Sequence, residues 1–347
     1  IGEETNFRAQ GYFVYDSKKS GAMTVSHLRF GPRPIRSSYL IDEAQFVGCH
    51  QWVFLDRYDM LHHATKGAVF LLNSPFGPDE VWDRLPREVQ TDLIEKQMKF
   101  YVIDAYGVAR DAGMPGRINT IMQTCYFAIS GVLPRDEAIG QIKGAIRKTY
   151  GKKGENVVQM NFQVVDQSLA HLHEVTIPGE VTATRVRPPI VSTEAPEFVR
   201  NVTSKIMAGK GDSLPVSAFT PDGTFPTATT RWEKRTIAEQ IPIWNSDNCI
   251  QCNKCSIVCP HAAIRAKVYP PELLDGAPAD YPSLTWKSGE FKGQAYTIQV
   301  SPQDCTGCGL CAGNCPGRKV DGEIQKALTL QPIQEHLEVQ KERFAFF

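Results

Sequence analysis

No stretch of this 347-residue sequence is long and apolar enough to span a bilayer. Runs such as Gly67–Leu72 stop far short of the roughly 20 residues a membrane helix needs. Net charge is lacking too: 38 Lys and Arg balance 38 Asp and Glu, so no global field favours nucleic acid or a membrane surface. No signal-peptide pattern stands at the start. Cysteine is scarce outside two short segments, which hold eight of the ten, Cys249–Cys259 and Cys305–Cys315. That crowding excludes the scattered disulfide framework of a small secreted domain and points to a metal site in a reducing compartment, expected to be the cytoplasm. Cys49 and Cys125 stand alone among apolar neighbours and are expected to be reduced core thiols. The chain opens at Ile1 rather than Met, which suggests a processed chain or a fragment whose start lies upstream.

What is present suits two or more folded domains. The composition is 42% hydrophobic and 22% charged, enough for a real core. In the first half, strand-like runs alternate with helical ones. Tyr12–Tyr15, Thr24–Phe30, Phe46–His50, Ala68–Leu72 and Phe100–Ile103 read as strands. Helical spacing links Trp52, Leu55, Tyr58 and Leu61, and Pro86 opens a helix through Val89, Leu93 and Met98. Ile118–Ile129 is helical, and a further helix starts at Asp136-Glu137 and ends on Arg147 and Lys148, charges that complement its dipole. Such alternation predicts an α/β domain with a mostly parallel sheet over residues 1–177. From 178 to 240, prolines punctuate Thr- and Gly-rich sequence with little periodicity, the texture of an extended connector. Residues 241–331 hold the cysteine runs, and 332–347 read as a short, charged tail.

The runs are Cys249, Cys252, Cys255, Cys259-Pro260 and Cys305, Cys308, Cys311, Cys315-Pro316. A [4Fe–4S] cubane needs four thiolates; the x-x gaps wrap three around one cluster, and the fourth, past a turn, ligates the other cluster. One cluster is therefore assigned to Cys249, Cys252, Cys255 and Cys315, the other to Cys305, Cys308, Cys311 and Cys259. Gly307, Gly309 and Gly313 are expected to let the backbone approach the second cluster. Structural zinc sites use separated C-x-x-C pairs, which does not fit three cysteines in consecutive steps closed by C-P, twice over. His62-His63 and His171-x-His173 have metal-like adjacency but no partner pattern, and read as surface or core histidines.

The runs resemble those of bacterial two-cluster ferredoxins, with Ala262-Ala263-Ile264 after the first C-P adding to the likeness. About 45 residues separate Cys259 from Cys305, more than a compact ferredoxin needs, and suit a ferredoxin-like α+β module built into a larger enzyme. Upstream segments narrow this. Ala208–Ser217, Asp222–Thr227 and Glu233–Ala238, leading into Ile241-Pro242-Ile243-Trp244, resemble the connector of pyruvate:ferredoxin (flavodoxin) oxidoreductases. Ala9–Gly21 and Val25–Gly31 resemble that family's γ-type domain.

The resemblance implies the following. The family oxidises pyruvate with thiamine diphosphate, transfers the acetyl group to coenzyme A, and passes electrons through [4Fe–4S] clusters to ferredoxin or flavodoxin. This sequence lacks a G-D-G with paired asparagines downstream, so thiamine diphosphate and Mg are expected on parts absent here. The chain is then a central piece that relays electrons and contributes to coenzyme A binding, with the remaining domains of a homo-oligomeric enzyme as partners and no nucleic acid or membrane. Lys18 and Lys19, after a predicted strand, are placed to meet phosphate, or form a solvated turn. Asn119 is a candidate for hydrogen bonding coenzyme A, or a helix cap. Lys254, Arg265, Lys267, Arg318 and Lys319 flank the clusters and are placed to attract an acidic carrier. Two rivals keep the clusters: a free-standing two-cluster ferredoxin-type carrier fused to an unrelated scaffold domain, and a scaffold that clamps catalytic subunits. Coenzyme A binding by the first half discriminates against both.

Overall fold

The structure is a computed structural model that describes residues 5–15 and 23–347. Within these residues the chain divides into two compact units, one over 5–15 and 24–226, the other over 227–347.

In the first unit, β1 (Arg8–Tyr15) and β2 (Thr24–Gly31) form an antiparallel hairpin. A four-stranded sheet follows in the order β3 (Ala44–Cys49), β4 (Ala64–Asn73), β5 (Lys99–Ile103), β6 (His173–Val175). The first three strands are parallel and β6 joins antiparallel. The apolar run in β4 is continuous because both sheet faces are covered. Phe70 and Leu72 enter one core and Leu71 the other, the period of two that a strand imposes. On the Phe70 face lie Leu55 of α1 (Phe54–Arg57), Val81 of α2 (Val81–Arg84), and Val89 and Leu93 of α3 (Arg87–Glu95). Phe70 and Phe100 stack across neighbouring strands at 5.4 Å. On the Leu71 face lie α4 (Ala105–Asp111), α5 (Asn119–Ile129) and α7 (Glu155–Ala170), with α6 (Arg135–Tyr150) packed on α5 and α7.

The expected mostly parallel α/β sheet is therefore present. Two details differ. The helix expected through Trp52 and Leu61 is a single turn, α1, because Tyr58 is already extended at φ −126° and ψ 147°. Helix α3 stops before Met98, where Gln97 turns to a left-handed φ of 49°.

The first part of the connector is held rather than loose. Gln90 is wholly buried in α3; its Oε1 accepts the backbone N–H groups of Thr182 and Ala183, both at 2.9 Å, while Nε2 donates to the Trp82 carbonyl at 2.7 Å. Glu88 accepts the Arg187 N–H, and the Arg185 side chain reaches Asp56 at 2.5 Å. The short helix α8 (Ser204–Met207) lies further along. The boundary between the compact units falls after 226, inside the stretch read as a connector.

In the second unit β7 (Gln240–Trp244) pairs with β13 (Leu328–Pro332), and a three-stranded antiparallel sheet runs β8 (Ile264–Tyr269), β10 (Ala295–Val300), β9 (Leu284–Thr285). The long insert between the cysteine runs builds this sheet, and every residue of β10 is buried. Two short helices lie within the runs, α9 (Lys254–Val258) and α10 (Leu310–Asn314); β11 (Arg318–Val320) and β12 (Glu323–Gln325) make a small hairpin. The charged stretch expected to be a tail is a 14-residue helix, α11 (Ile333–Phe346), which packs on β10 and β13. Among the described residues no helix is long and apolar enough to cross a membrane.

Candidate functional site

The two cysteine runs fold alike. Each residue of the first has its counterpart 56 positions later, and the backbone repeats with it. Gln251 and Gly307 both have left-handed φ, 61° and 70°; Asn253 and Gly309 follow at 56° and 75°. Cys259 (φ −70°, ψ 111°) matches Cys315 (φ −69°, ψ 118°). The left-handed residues turn N–H groups inward. The N–H of Gln251 points at Cys249 Sγ and that of Gly307 at Cys305 Sγ, each at 3.4 Å, and Ala263 N–H lies 3.3 Å from Cys259 Sγ.

Two cavities result. One is lined by Cys249, Cys252, Cys255 and Cys315, with Trp244, Ile298 and Leu328 among its walls. The other is lined by Cys305, Cys308, Cys311 and Cys259, with Pro242, Ile264 and Leu330 among its walls. Each cavity thus gathers three thiols of one run and the fourth of the other.

The residues fit iron–sulfur cubanes. Four soft sulfur donors stand around a space in each cavity, and backbone N–H groups face the sulfurs as such clusters require. A lone zinc needs its donors to converge on a point, and among the described residues no group of three or more His, Cys, Asp or Glu does so. Burial pushes the Cys255 and Cys311 thiols up to about 11, so without a bound metal they stay protonated. The Nε1–H of Trp244, on the first cavity's wall, is buried without a partner in the protein.

The surroundings are not equally distributed. The insert grips the first run: Gln251 Nε2 donates to the Thr285 carbonyl at 2.8 Å and its Oε1 accepts Lys287 N–H at 2.9 Å. Tyr296, 1% exposed, donates its hydroxyl to Asn253 Oδ1 at 2.7 Å and packs against Trp286 and Trp244. Burial first, then the neighbouring Cys249, Cys255 and Cys252, raise the Tyr296 phenol above its ordinary range. In the second run Gly307 presses on the Gln240 carbonyl, which an added Cβ would approach to 2.9 Å. Gly313 has no such neighbour; a Cβ there meets no protein atom within 4 Å. Lys254, Arg265, Lys267, Arg318 and Lys319 are exposed. Arg265 and Lys267 rest over the rings of Phe344 and Phe347.

Of the other expected residues, Lys18 and Lys19 lie outside the described residues. Asn119 is exposed at the first position of α5, after the cap residue Ile118. His62 sits 3.9 Å from Asp59, and His63 Nδ1 lies 3.3 Å from the Asp42 carbonyl. Cys49 and Cys125 are buried, 1% and 0% exposed. Trp244, Tyr296 and the left-handed Gln251 and Asn253 escape sequence reasoning; the shared offset of 56 is the signal that marks the last two.

A pair of cavities, each lined by three thiols of one run and the fourth of the other, on a fold of this kind, defines a two-cluster ferredoxin-type domain. Comparison with known proteins agrees. Residues 248–318 match the 4Fe-4S dicluster domain, 184–238 match a domain of unknown function, and 2–170 match the pyruvate ferredoxin/flavodoxin oxidoreductase model. Over its whole length the chain is similar to pyruvate-flavodoxin and pyruvate:ferredoxin oxidoreductases. It is 55% identical to the pyruvate-flavodoxin oxidoreductase of Rhodospirillum rubrum, over 100% of this chain and 29% of that protein. The pyruvate-flavodoxin oxidoreductase of Nostoc sp. is 54% identical, over 100% of this chain and 30% of its own length. The pyruvate:ferredoxin oxidoreductase of Moorella thermoacetica is 48% identical, over 100% and 29%. The chain thus spans about three tenths of the curated relatives it matches. A pyruvate oxidoreductase subunit of Thermotoga maritima aligns with a TM-score of 0.40 at 15% identity, over 50% of this chain and 85% of that one, too slight a likeness to place any residue.

Proposed function

We propose that this chain is the electron-relaying portion of an enzyme that oxidises pyruvate and reduces ferredoxin or flavodoxin. In this reading Cys249, Cys252, Cys255 and Cys315 hold one [4Fe–4S] cluster, and Cys305, Cys308, Cys311 and Cys259 the other. The observation that carries it is the crossed gathering of thiols: each cavity draws its fourth cysteine from the opposite run. When bound, such a cluster takes up and releases one electron at a time.

The protein's own part is to hold, shield and steer. The eight thiolates fix the clusters, and the N–H groups of Gln251, Gly307 and Ala263 face the sulfurs. Ile264, Leu330, Ile298 and Leu328 keep water from the cavity floors. Exposed Lys254, Arg265, Lys267, Arg318 and Lys319 attract an acidic carrier. Lys18, Lys19 and Asn119 are proposed to touch coenzyme A, on the strength of the family resemblance. Thiamine diphosphate and Mg would lie on the rest of a homo-oligomeric, cytoplasmic enzyme.

The test is anaerobic iron and acid-labile sulfide analysis of the protein beside its Cys259→Ser and Cys315→Ser variants. Two cubanes are expected in the parent. Crossed ligation predicts that Cys259→Ser disturbs the EPR signal of the cluster on the second run, and Cys315→Ser that of the first. Fewer than two cubanes, or uncrossed effects, would overturn the assignment.

A further inference from the structure

The two cavities match in their cysteines and differ in one wall. β7 and β13 run antiparallel with Pro242 opposite Leu330 and Trp244 opposite Leu328. Each pair closes one cavity: Pro242 and Leu330 line the second, Trp244 and Leu328 the first. β8 and β10 add Ile264 and Ile298 in the same relation. The ribbon therefore lines one cavity with a tryptophan and the other with a proline.

Trp244 is 8% exposed, and its Nε1–H is buried with no hydrogen-bond partner in the protein. Among the residues lining both cavities it carries the buried polar atom left in that state. Indole N–H groups find an acceptor when buried, because leaving one unpaired forfeits its hydration without return. The polar side chains on the second cavity, Thr306 and His261, are half-buried, and neither holds a buried atom without a partner.

We propose that the Trp244 Nε1–H donates a hydrogen bond to a sulfur of the cluster held by Cys249, Cys252, Cys255 and Cys315, and so raises its reduction potential above that of the other cluster. The proposal rests on the reading that both cavities hold [4Fe–4S] clusters. One-electron reduction adds a negative charge to a cluster. A donor fixed beside its sulfur, in surroundings poor in water, stabilises the reduced form more than the oxidised one. Pro242 and Leu330 give the second cluster no such donor. The first cluster is then the one on which an electron rests when a single electron is present.

Redox titration followed by EPR tests this on the cluster-loaded protein, with Trp244→Phe and Trp286→Phe beside the parent. Trp286 also buries an Nε1–H without a partner, but it lines neither cavity. Trp244→Phe is expected to lower the midpoint potential of one cluster and leave the other in place; Trp286→Phe is expected to move neither. Pulsed EPR of reduced protein carrying 15N-indole tryptophan should show a nitrogen coupling in the parent and in Trp286→Phe. That coupling decides the matter even where Trp244→Phe fails to fold or to hold its cluster. Equal shifts in the two variants, or an unshifted Trp244→Phe, or a parent without the coupling, would overturn the hydrogen bond. Iron and sulfide content measured on the same parent sample separates that result from failure of the underlying reading, in which two cubanes would be missing from the start.

Discussion

Gln251 and Gly307 occupy the same place in the two cysteine runs and share a left-handed backbone, yet one carries a side chain that works and the other has no room for any. Gln251 uses its amide to tie the first run to Thr285 and Lys287. Gly307 sits where a Cβ would come within 2.9 Å of the Gln240 carbonyl. The insert reaches the first run and β7 crowds the second, so equivalent positions obey different constraints.

Gly307→Ala should therefore cost about 1–3 kcal/mol, from left-handed strain plus the displaced β7 carbonyl. Gln251→Ala removes the two tether hydrogen bonds instead and should cost about 1–2 kcal/mol. Urea unfolding of the cluster-loaded protein reads both. Gly307→Ala should also bleach the second cluster faster, and a variant as stable as the parent would refute the crowding.

Gln90 holds the start of the connector from within α3. Gln90→Ala leaves the Thr182 and Ala183 N–H groups without their partner, at a cost of about 2–3 kcal/mol. Amide exchange at Thr182 and Ala183 should rise ahead of exchange in β4. If the two rise together, the connector is not separately held.

Cys49 and Cys125 are pushed up to about 12, chiefly by burial. Below about pH 9 both are protonated in folded and unfolded chain alike, so they add no pH dependence there. Between about pH 9 and 12 the unfolded chain loses these protons while the folded one keeps them, so their linkage makes stability fall with rising pH. Native protein at pH 8 should leave both unlabelled by iodoacetamide, as read by peptide mass spectrometry. Labelling at rates typical of a free thiol would show that neither is core.

Carrier docking through Lys254, Arg265, Lys267, Arg318 and Lys319 should weaken with salt. Replacing Lys254 and Arg318 by Gln should slow reduction of an acidic carrier severalfold at low ionic strength and much less at high. An electron-exit rate indifferent to ionic strength would dismiss these charges as a docking surface.

Much of the fold was legible because its signals are local. Ala68–Leu72 reads as a buried strand since both faces of β4 are covered, and Pro86 heads α3 as its cap. Helix α7 was not legible: Asn161 and Ser168 interrupt its apolar stripe, and they are tolerated because each side chain bonds back to a carbonyl four residues earlier. Helix α11 hides likewise, with Gln340 taking a buried place in line with Ile333 and half-buried Leu337.

The sequence by itself marked the candidate ligands. Eight cysteines at fixed short spacings read as two cubane sites, because three thiols of each are neighbours a few residues apart. Tertiary structure alone decided what surrounds them. That Trp244 faces one cavity and Pro242 the other depends on β7 meeting β13, a pairing of strands more than eighty residues apart that leaves no local trace. Contacts of that range are chosen by the burial of the whole core, and they make two nearly identical cysteine runs unequal.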